Sequence, residues 1–175
     1  MGLACFLAQQ MRQTPAIAQR VDECDWLVPV PLSAQRLRER GFNQALLLAK
    51  QLCPERTLGQ ALIRLRDTPA QSGLSRSDRL VNLHHAFMAN PHCLPRLRHS
   101  RVVLLDDVTT TGTTLLACTQ ALQAAGVAQV DAVVFDKTGT LTEDRMVLQT
   151  LITPQGVWHL NDAASPLPSA VLKLA

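Results

Sequence analysis

The alternation of apolar and polar positions predicts an α/β protein in which helices alternate with buried strands. Residues 2–20 carry apolar side chains at helical spacing, and further helical patterns begin at Ser33 and at Leu115. Continuous apolar runs, which are typical of strands buried on both faces, occur at 26–30, 101–105 and 130–135. This order predicts a parallel sheet flanked by helices.

Several local signals refine this prediction. Pro29 removes a backbone donor from the first strand, so we expect no regular pairing there. Gly126 is expected to cap the helix that begins near Leu115. Segments 146–152 and 157–160 predict a terminal hairpin, and residues 161–175 are expected to be poorly ordered.

Residues 64–86 are polar, charged and without periodicity. A segment of this length inside one domain is usually a functional loop or a disordered one. Its basic side chains suit a flexible hood that closes over an anionic leaving group and excludes water. We therefore expect a mobile cover over a ligand site.

Composition excludes several classes of protein. The chain has 175 residues, enough for one domain with a sizeable core, and 47% of them are hydrophobic. No apolar run approaches the about 20 residues of a membrane span, and no signal peptide is recognisable, so the cytoplasm is expected. The five cysteines are scattered, which predicts free thiols and neither a disulfide framework nor a zinc site. A net charge of +3 and the absence of Tyr do not favour a nucleic-acid platform.

The most informative segment is 101–114. Its strand runs into two acids, Asp106 and Asp107, and then into a Thr-rich loop with Gly112 and a helix. A helix N-terminus after a strand is a ready anion site. The two acids would repel a phosphate but suit hydroxyl groups or a metal beside it. The combination indicates a sugar phosphate; the alternative is an ordinary turn with Thr capping.

This segment resembles the phosphoribosyl-pyrophosphate (PRPP) signature of type I phosphoribosyltransferases. The resemblance implies that Asp106 and Asp107 face the ribose hydroxyls. It implies that the 5′-phosphate lies in a loop made of Thr109, Thr110, Thr111, Gly112 and Thr113.

Two further clusters carry positive charge. Arg36, Arg38 and Arg40 follow the first strand and could hold a multiply charged anion, although such spacing also suits a solvated helix face. The second cluster is the polar segment, which reads Arg-x-Arg-x-Thr-x-x-Gln-x-Gly-Leu from Arg64 onwards.

The ordered motifs over residues 15–135 resemble the ComF/GntX-like competence protein family, which has the phosphoribosyltransferase fold. The resemblance implies PRPP binding with Mg²⁺, transfer to an unknown nucleobase-like acceptor with release of pyrophosphate, and a link to the DNA-uptake machinery. A non-catalytic PRPP- or nucleotide-binding module is the alternative. The resemblance to this family also implies a pyrophosphate region at Arg36, Arg38 and Arg40, and a hood containing Arg66, Thr68, Gln71 and Arg79.

The chain departs from that family at both ends. Family members commonly begin with a four-cysteine zinc ribbon, which is not found here. After residue 135 the chain reads Asp-Lys-Thr-Gly-Thr-Leu-Thr, which resembles the phosphorylation motif of P-type ATPases. At this length we expect no working pump, which leaves a fusion, the favoured explanation, or drift. We expect a phosphoribosyltransferase-like domain over 1–135, an atypical tail over 136–175, and no phosphorylation of Asp136.

Overall fold

Helices and strands alternate along the chain. The computed structural model describes residues 3–65, 86–106, 112–135, 148–153 and 156–159. The helices are α1 (Leu3–Gln13), α2 (Pro15–Glu23), α3 (Ala34–Arg40), α4 (Gln44–Leu52), α5 (Leu94–Leu97) and α6 (Thr113–Ala124). The strands are β1 (Trp26–Pro29), β2 (Leu62–Arg64), β3 (Phe87–Ala89), β4 (Arg101–Asp106), β5 (Gln129–Phe135), β6 (Leu148–Thr153) and β7 (Gly156–His159).

The main sheet has the order β1-β4-β5-β6-β7 in the described part of the chain. Its first three strands are parallel, with Val28 opposite Leu104 and Leu104 opposite Ala132. The predicted terminal hairpin is formed by β6 and β7, which join the sheet in antiparallel pairing beside β5. The predicted α/β class with a parallel sheet is therefore confirmed, with an antiparallel extension.

The expectation that Pro29 prevents regular pairing is wrong. Pro29 lies opposite Leu105, and the Val30 N–H donates to the Leu105 carbonyl at 2.8 Å. Backbone N–H groups alternate between the two sides of a strand, so the Pro29 nitrogen faces away from β4. β1 is an edge strand of the described sheet, so a missing backbone N–H on its outer side breaks no hydrogen bond to another strand of that sheet.

Two predicted helices are each divided into two. Thr14 has an extended backbone (φ −92°, ψ 107°) before Pro15, which starts α2. In the second case Gly41 adopts a left-handed conformation (φ 78°) that ends α3, and Asn43 caps α4. The apolar periodicity continues across both breaks, which is why it suggested longer helices.

Buried apolar side chains pack on both faces of the sheet. Along β4, Val102 and Leu104 belong to the cluster that includes α6 and the β2–β3 hairpin. Val103 and Leu105 belong to the cluster that includes α1, α2 and α4. This alternation explains the continuous apolar run, because each side chain of the strand meets a layer of protein.

The ends of the long polar segment are held in regular structure. β2 and β3 pair antiparallel, with Arg64 opposite Phe87, and the Leu65 N–H donates to the Ala86 carbonyl at 2.8 Å. We call β2 and β3 together the hairpin stem. Phe87, the first residue of β3, is buried in the core. Residues 66–85 lie outside the described residues.

α6 ends with a glycine cap at Gly126, as predicted. Gly126 has a φ of 87°, and its N–H donates to the Gln123 carbonyl at 2.9 Å. Across the described ranges, we find no helix with the length and apolar character needed to cross a membrane.

Candidate functional site

The carboxyl ends of β1 and β4 lie side by side at one edge of the sheet. The two strands are parallel, and Pro29 is opposite Leu105. The segment after β1 leads to α3, and the segment after β4 leads to α6. Ligands of open α/β sheets bind at this edge, because the loops that leave neighbouring strands converge there. The strand ends from which the two predicted motifs start are therefore adjacent.

Asp106 is the last residue of β4 and is buried, with 7% of its surface exposed. It lies opposite Val134 of β5. Because side chains alternate along a strand, Asp106 shares the face of Leu104, which packs towards α6 and the hairpin stem. A buried carboxylate at a strand end needs polar partners. Its predicted neighbour in the site, Asp107, lies outside the described residues.

Gly112 and Thr113 form the start of α6. Gly112 has a left-handed backbone (φ 68°) and precedes the helix without a side-chain cap. The helix begins with the Leu116 N–H, which donates to the Gly112 carbonyl at 3.0 Å. The N–H groups of the first turn have no intrahelical acceptor, and a helix N-terminus attracts anions. Thr109, Thr110 and Thr111, predicted in the same loop, lie outside the described residues.

The backbone of Gly112 is what requires glycine. A Cβ built on this residue meets nothing within 4 Å, so space does not exclude a larger side chain. The positive φ does, because residues with a side chain rarely adopt it.

The three arginines of the second motif all lie on α3 and are exposed. The helix begins at Ser33, whose Oγ accepts from the Arg36 N–H at 3.2 Å. Arg36 and Arg40 are four residues apart and share one face, whereas Arg38 lies on the opposite face and its Nε donates to the Ala34 carbonyl at 3.2 Å. The helix therefore brings two of the three to a common side.

Asn43 has a positioning role that the sequence reasoning did not assign. Its Nδ2 donates to the Val30 carbonyl at 3.0 Å, and its Oδ1 accepts from the Leu46 N–H at 3.2 Å. One side chain thus caps α4 and ties it to the end of β1. An Asn directly before an apolar helical run is a recognisable N-cap signal.

Arg64 is a second residue that the motif contained but the sequence reasoning left without a role. Its Cζ lies 5.2 Å from the centre of the Phe87 ring. Burial raises the pKa of the Cys118 thiol, and the negative charge of Asp106 raises it further, while the positive charge of Arg64 lowers it. The predicted hood residues Arg66, Thr68, Gln71 and Arg79 lie outside the described residues.

The described residues do not contain a protein-borne metal cluster. We find no group of three or more His, Cys, Asp or Glu side chains among them that could hold an ion. Cys24, Cys93 and Cys118 are buried, and all five cysteines are free.

Comparison with known proteins identifies the family. The model of the phosphoribosyl transferase domain matches residues 40–162. The chain belongs to this family. The match begins at the end of α3 and includes β4 with its following helix, so Asp106, Gly112 and Thr113 lie within it, whereas β1 precedes it.

Relatives of this phosphoribosyltransferase domain carry names linked to competence and DNA use. Competence protein F of Haemophilus influenzae is 38% identical over 109 residues, which are 59% of this chain and 46% of the relative. The DNA utilization protein YhgH of Salmonella typhimurium is 36% identical over 136 residues, 73% of this chain and 57% of the relative. Competence protein ComFC of Bacillus subtilis is 36% identical over 107 residues, 58% of this chain and 40% of the relative.

The chain spans about half the length of the curated relatives it matches. Together with the domain match, these relatives support the resemblance to the ComF-like family. A solved structure of the allosteric regulatory enzyme of purine biosynthesis aligns with 75% of this chain and 25% of its own, at 20% identity and a TM-score of 0.46.

Two predictions about the C-terminal part stay predictions. The segment that resembles the P-type ATPase motif, residues 136–142, lies outside the described residues. The family match extends to residue 162, past the boundary predicted at residue 135. The division of the chain at that point stays a prediction.

Proposed function

We propose that this phosphoribosyltransferase domain binds PRPP at the edge formed by β1, β4 and α6. The observation that carries the proposal is the buried carboxylate of Asp106 at the end of β4, on the face of the sheet that α6, starting at Gly112 and Thr113, covers. In this arrangement the 5′-phosphate accepts hydrogen bonds from the first turn of α6 and from the loop of Thr109 to Thr113. The ribose hydroxyls donate to Asp106 and Asp107.

The pyrophosphate of PRPP is assigned to the neighbouring segment. α3 follows β1 at the same edge, and it carries Arg36 and Arg40 on one face. Guanidinium groups form paired hydrogen bonds with phosphate oxygens. In the proposal the hood residues Arg66, Thr68, Gln71 and Arg79 complete this region. Arg38, on the other face of α3, is the weakest of the predicted pyrophosphate ligands.

Mg²⁺ fits this site as an ion carried by the substrate. Mg²⁺ commonly binds one or two carboxylates together with substrate phosphates and keeps several waters. Asp106 offers a buried carboxylate for this mode of binding. Asp106 and Asp107 are the residues that would hold it. When bound, the ion neutralises charge on the leaving pyrophosphate.

The proposed reaction is transfer of the phosphoribosyl group to a nucleobase-like acceptor. A nitrogen of the acceptor forms a bond to ribose C1, and the bond from C1 to the pyrophosphate oxygen breaks, so that pyrophosphate leaves with the bonding electrons. The acceptor nitrogen then loses its proton to solvent. Positive charge develops on the ribose ring during this step, and Asp106 and Asp107 stabilise it electrostatically.

Titration with PRPP and Mg²⁺ tests binding, and release of pyrophosphate tests turnover. We expect the melting temperature to rise with PRPP, and one base of a panel to cause pyrophosphate release. Asp107→Ala should weaken binding about tenfold, because hydrogen bonds to charged groups contribute about 1.5–3 kcal/mol. Unchanged affinity in this variant would contradict the ribose assignment.

A non-catalytic PRPP- or nucleotide-binding module is the second candidate. It is favoured by the relatives' names, which refer to competence and DNA utilization and not to a transfer reaction. Under this proposal the domain works in the cytoplasm with the DNA-uptake machinery. Stabilisation by PRPP without pyrophosphate release on any base would select it over the transferase.

A further inference from the structure

α3 is attached to the rest of the protein mainly by its ends. None of its seven residues, all of them described, is buried, and Leu37, its largest apolar side chain, is 45% exposed. A buried apolar face is what normally fixes a helix against a sheet. The direction in which α3 presents Arg36 and Arg40 is therefore set by the segments that join it to β1 and to α4.

One side-chain hydrogen bond closes the loop that contains α3. Asn43 Nδ2 donates at 3.0 Å to the carbonyl of Val30, which lies 13 residues away along the chain. The same side chain caps α4, since its Oδ1 accepts from the Leu46 N–H at 3.2 Å. The donor and the acceptor of the amide are both used, so the side chain is held in one orientation. Asn43 therefore fixes the far end of this loop against the end of β1.

Val30 connects this hydrogen bond to the strand end that carries Asp106. The Val30 N–H donates to the Leu105 carbonyl at 2.8 Å, and Leu105 directly precedes Asp106 in β4. Only the backbone of one residue separates this bond from the one that Val30 accepts from Asn43. The closed end of the α3 loop is thereby placed relative to the end of β4.

The last arginine of α3 also depends on α4. Arg40 Nη1 donates to Gln44 Oε1 at 3.1 Å, and Gln44, the residue after Asn43, begins α4. β4 and the start of α6 are held in a different way, because both contribute buried side chains to the core. A change at Asn43 should therefore move the arginines of α3 and leave the ribose and 5′-phosphate regions in place.

We propose that Asn43 is a positioning residue that holds the arginines of α3 where they bind the pyrophosphate of PRPP. The inference rests on the proposed function, because it assumes that PRPP occupies this edge of the sheet. It adds a division of the site: Asn43 acts, through Arg36 and Arg40, on the pyrophosphate part of the ligand and not on the ribose 5-phosphate part.

The test separates the two hydrogen bonds of Asn43 without changing the charge. Asn43→Ser keeps a hydroxyl that can cap α4, but its side chain is shorter and lacks the amide donor that reaches the Val30 carbonyl. Asn43→Ala removes both bonds. The matched control is Asn90→Ala, because Asn90 Oδ1 also caps a helix, accepting from the His92 N–H at 3.1 Å, at the end of the hairpin stem that does not lead into residues 66–85. Each protein is melted without ligand and then titrated by calorimetry with PRPP, pyrophosphate and ribose 5-phosphate, all with Mg²⁺.

We expect Asn43→Ser and Asn43→Ala each to weaken the binding of PRPP and of pyrophosphate about tenfold. Ribose 5-phosphate should bind both variants as it binds the wild type, because its proposed contacts are with β4 and α6. Asn43→Ala should melt about 2–4 °C below Asn43→Ser, because it alone loses the cap of α4. Asn90→Ala should bind all three ligands as the wild type does.

Two results would overturn the inference while the proposed function stands. One is an affinity for PRPP and pyrophosphate in Asn43→Ser that equals that of the wild type. The other is an equal loss of affinity for all three ligands, which would show a structural role only. Failure of the wild type to bind PRPP would instead remove the proposed function, and this inference with it.

Discussion

At the scale of single residues, two buried acids on neighbouring strands have different surroundings. Asp106 ends β4 at the candidate site. Asp131 is near the start of β5, where its Oδ2 accepts from Gln129 Nε2 at 2.8 Å and lies 3.8 Å from Arg20 Nη1. Burial raises the pKa of Asp131, although the Arg20 charge opposes that effect.

Asp106→Asn should weaken PRPP binding at least about tenfold, because the ribose hydroxyls lose a charged acceptor. The substitution keeps the size of the side chain, so the melting temperature without ligand should change little. The measurement is isothermal titration of PRPP with Mg²⁺ at neutral pH. An affinity equal to that of the wild type would remove Asp106 from the site.

Arg20→Met should lower the free energy of unfolding by about 3–5 kcal/mol at neutral pH, because it leaves a buried carboxylate without its cation. Because the pKa of Asp131 is raised in the folded state, its ionised carboxylate lowers the stability of the fold at neutral pH. This destabilisation disappears as the pH falls through that pKa and the carboxylate is protonated. The difference from the wild type should therefore shrink on acidification to about pH 4. Urea unfolding at several pH values measures it.

The control for this prediction is Arg12→Met. Arg12 pairs with Asp22 at 2.6 Å, but the two side chains are 40% and 60% exposed, against 6% for each side chain of the Arg20–Asp131 pair. An exposed pair is worth about 0–1 kcal/mol. If Arg12→Met lowers the free energy of unfolding as much as Arg20→Met does, the account of the buried pair is contradicted. A loss of stability in Arg20→Met that does not change with pH would contradict it as well.

At the scale of elements, α6 has a left-handed glycine at each end. Gly112 precedes its first turn with a φ of 68°, and Gly126 follows its last with a φ of 87°. The backbone demands are alike, but only the first end belongs to the candidate site. The helix therefore allows the cost of backbone strain to be separated from the cost of lost phosphate contacts.

Gly112→Ala and Gly126→Ala should each lower stability by about 1–2 kcal/mol, because an alanine in the left-handed region is strained. Neither new Cβ meets a severe contact. A Cβ on Gly126 lies 3.5 Å from Arg98 Cγ, and one on Gly112 has no neighbour within 4 Å. Only Gly112→Ala should also weaken PRPP binding. Equal affinities in the two variants would argue against a phosphate at the start of α6.

The elements also differ in how well the sequence pattern predicts them. The buried strands were predictable because apolar runs mark strands with protein on both faces, as β4 has. The division at Gly41 was missed because periodicity continues on both sides of it, although Gly and Asn43 supply stop and start signals. Side-chain ties such as Asn43 to Val30 depend on the packing of distant segments, which local patterns do not contain.

The site was predictable in part for the same reason. Asp106 is the last residue of β4 and Gly112 directly precedes α6, so the motif alone predicts the positions of both in the fold. The separation of Arg38 from Arg36 and Arg40 follows from the helical rotation of α3. The contact of Arg64 with the Phe87 ring was missed because it requires the pairing of β2 with a strand that lies beyond the long polar segment.

At the scale of the whole molecule, β6 and β7 continue the sheet that carries the site. A chain that ends at residue 135 would leave the edge of β5 unpaired. We expect it to melt at least about 5 °C below a control chain that ends at residue 160. Calorimetry of the two truncations measures this; equal melting temperatures would support a tail that contributes nothing to the fold.

The central claim is that the edge of β1, β4 and α6 is a PRPP site. Calorimetric titration of the wild-type chain with PRPP in the presence of Mg²⁺ tests it most directly, with ribose 5-phosphate and pyrophosphate as separate probes. The account predicts saturable binding of PRPP, weaker binding of each probe, and loss of PRPP binding in Asp106→Asn. The absence of PRPP binding by the wild type would contradict it.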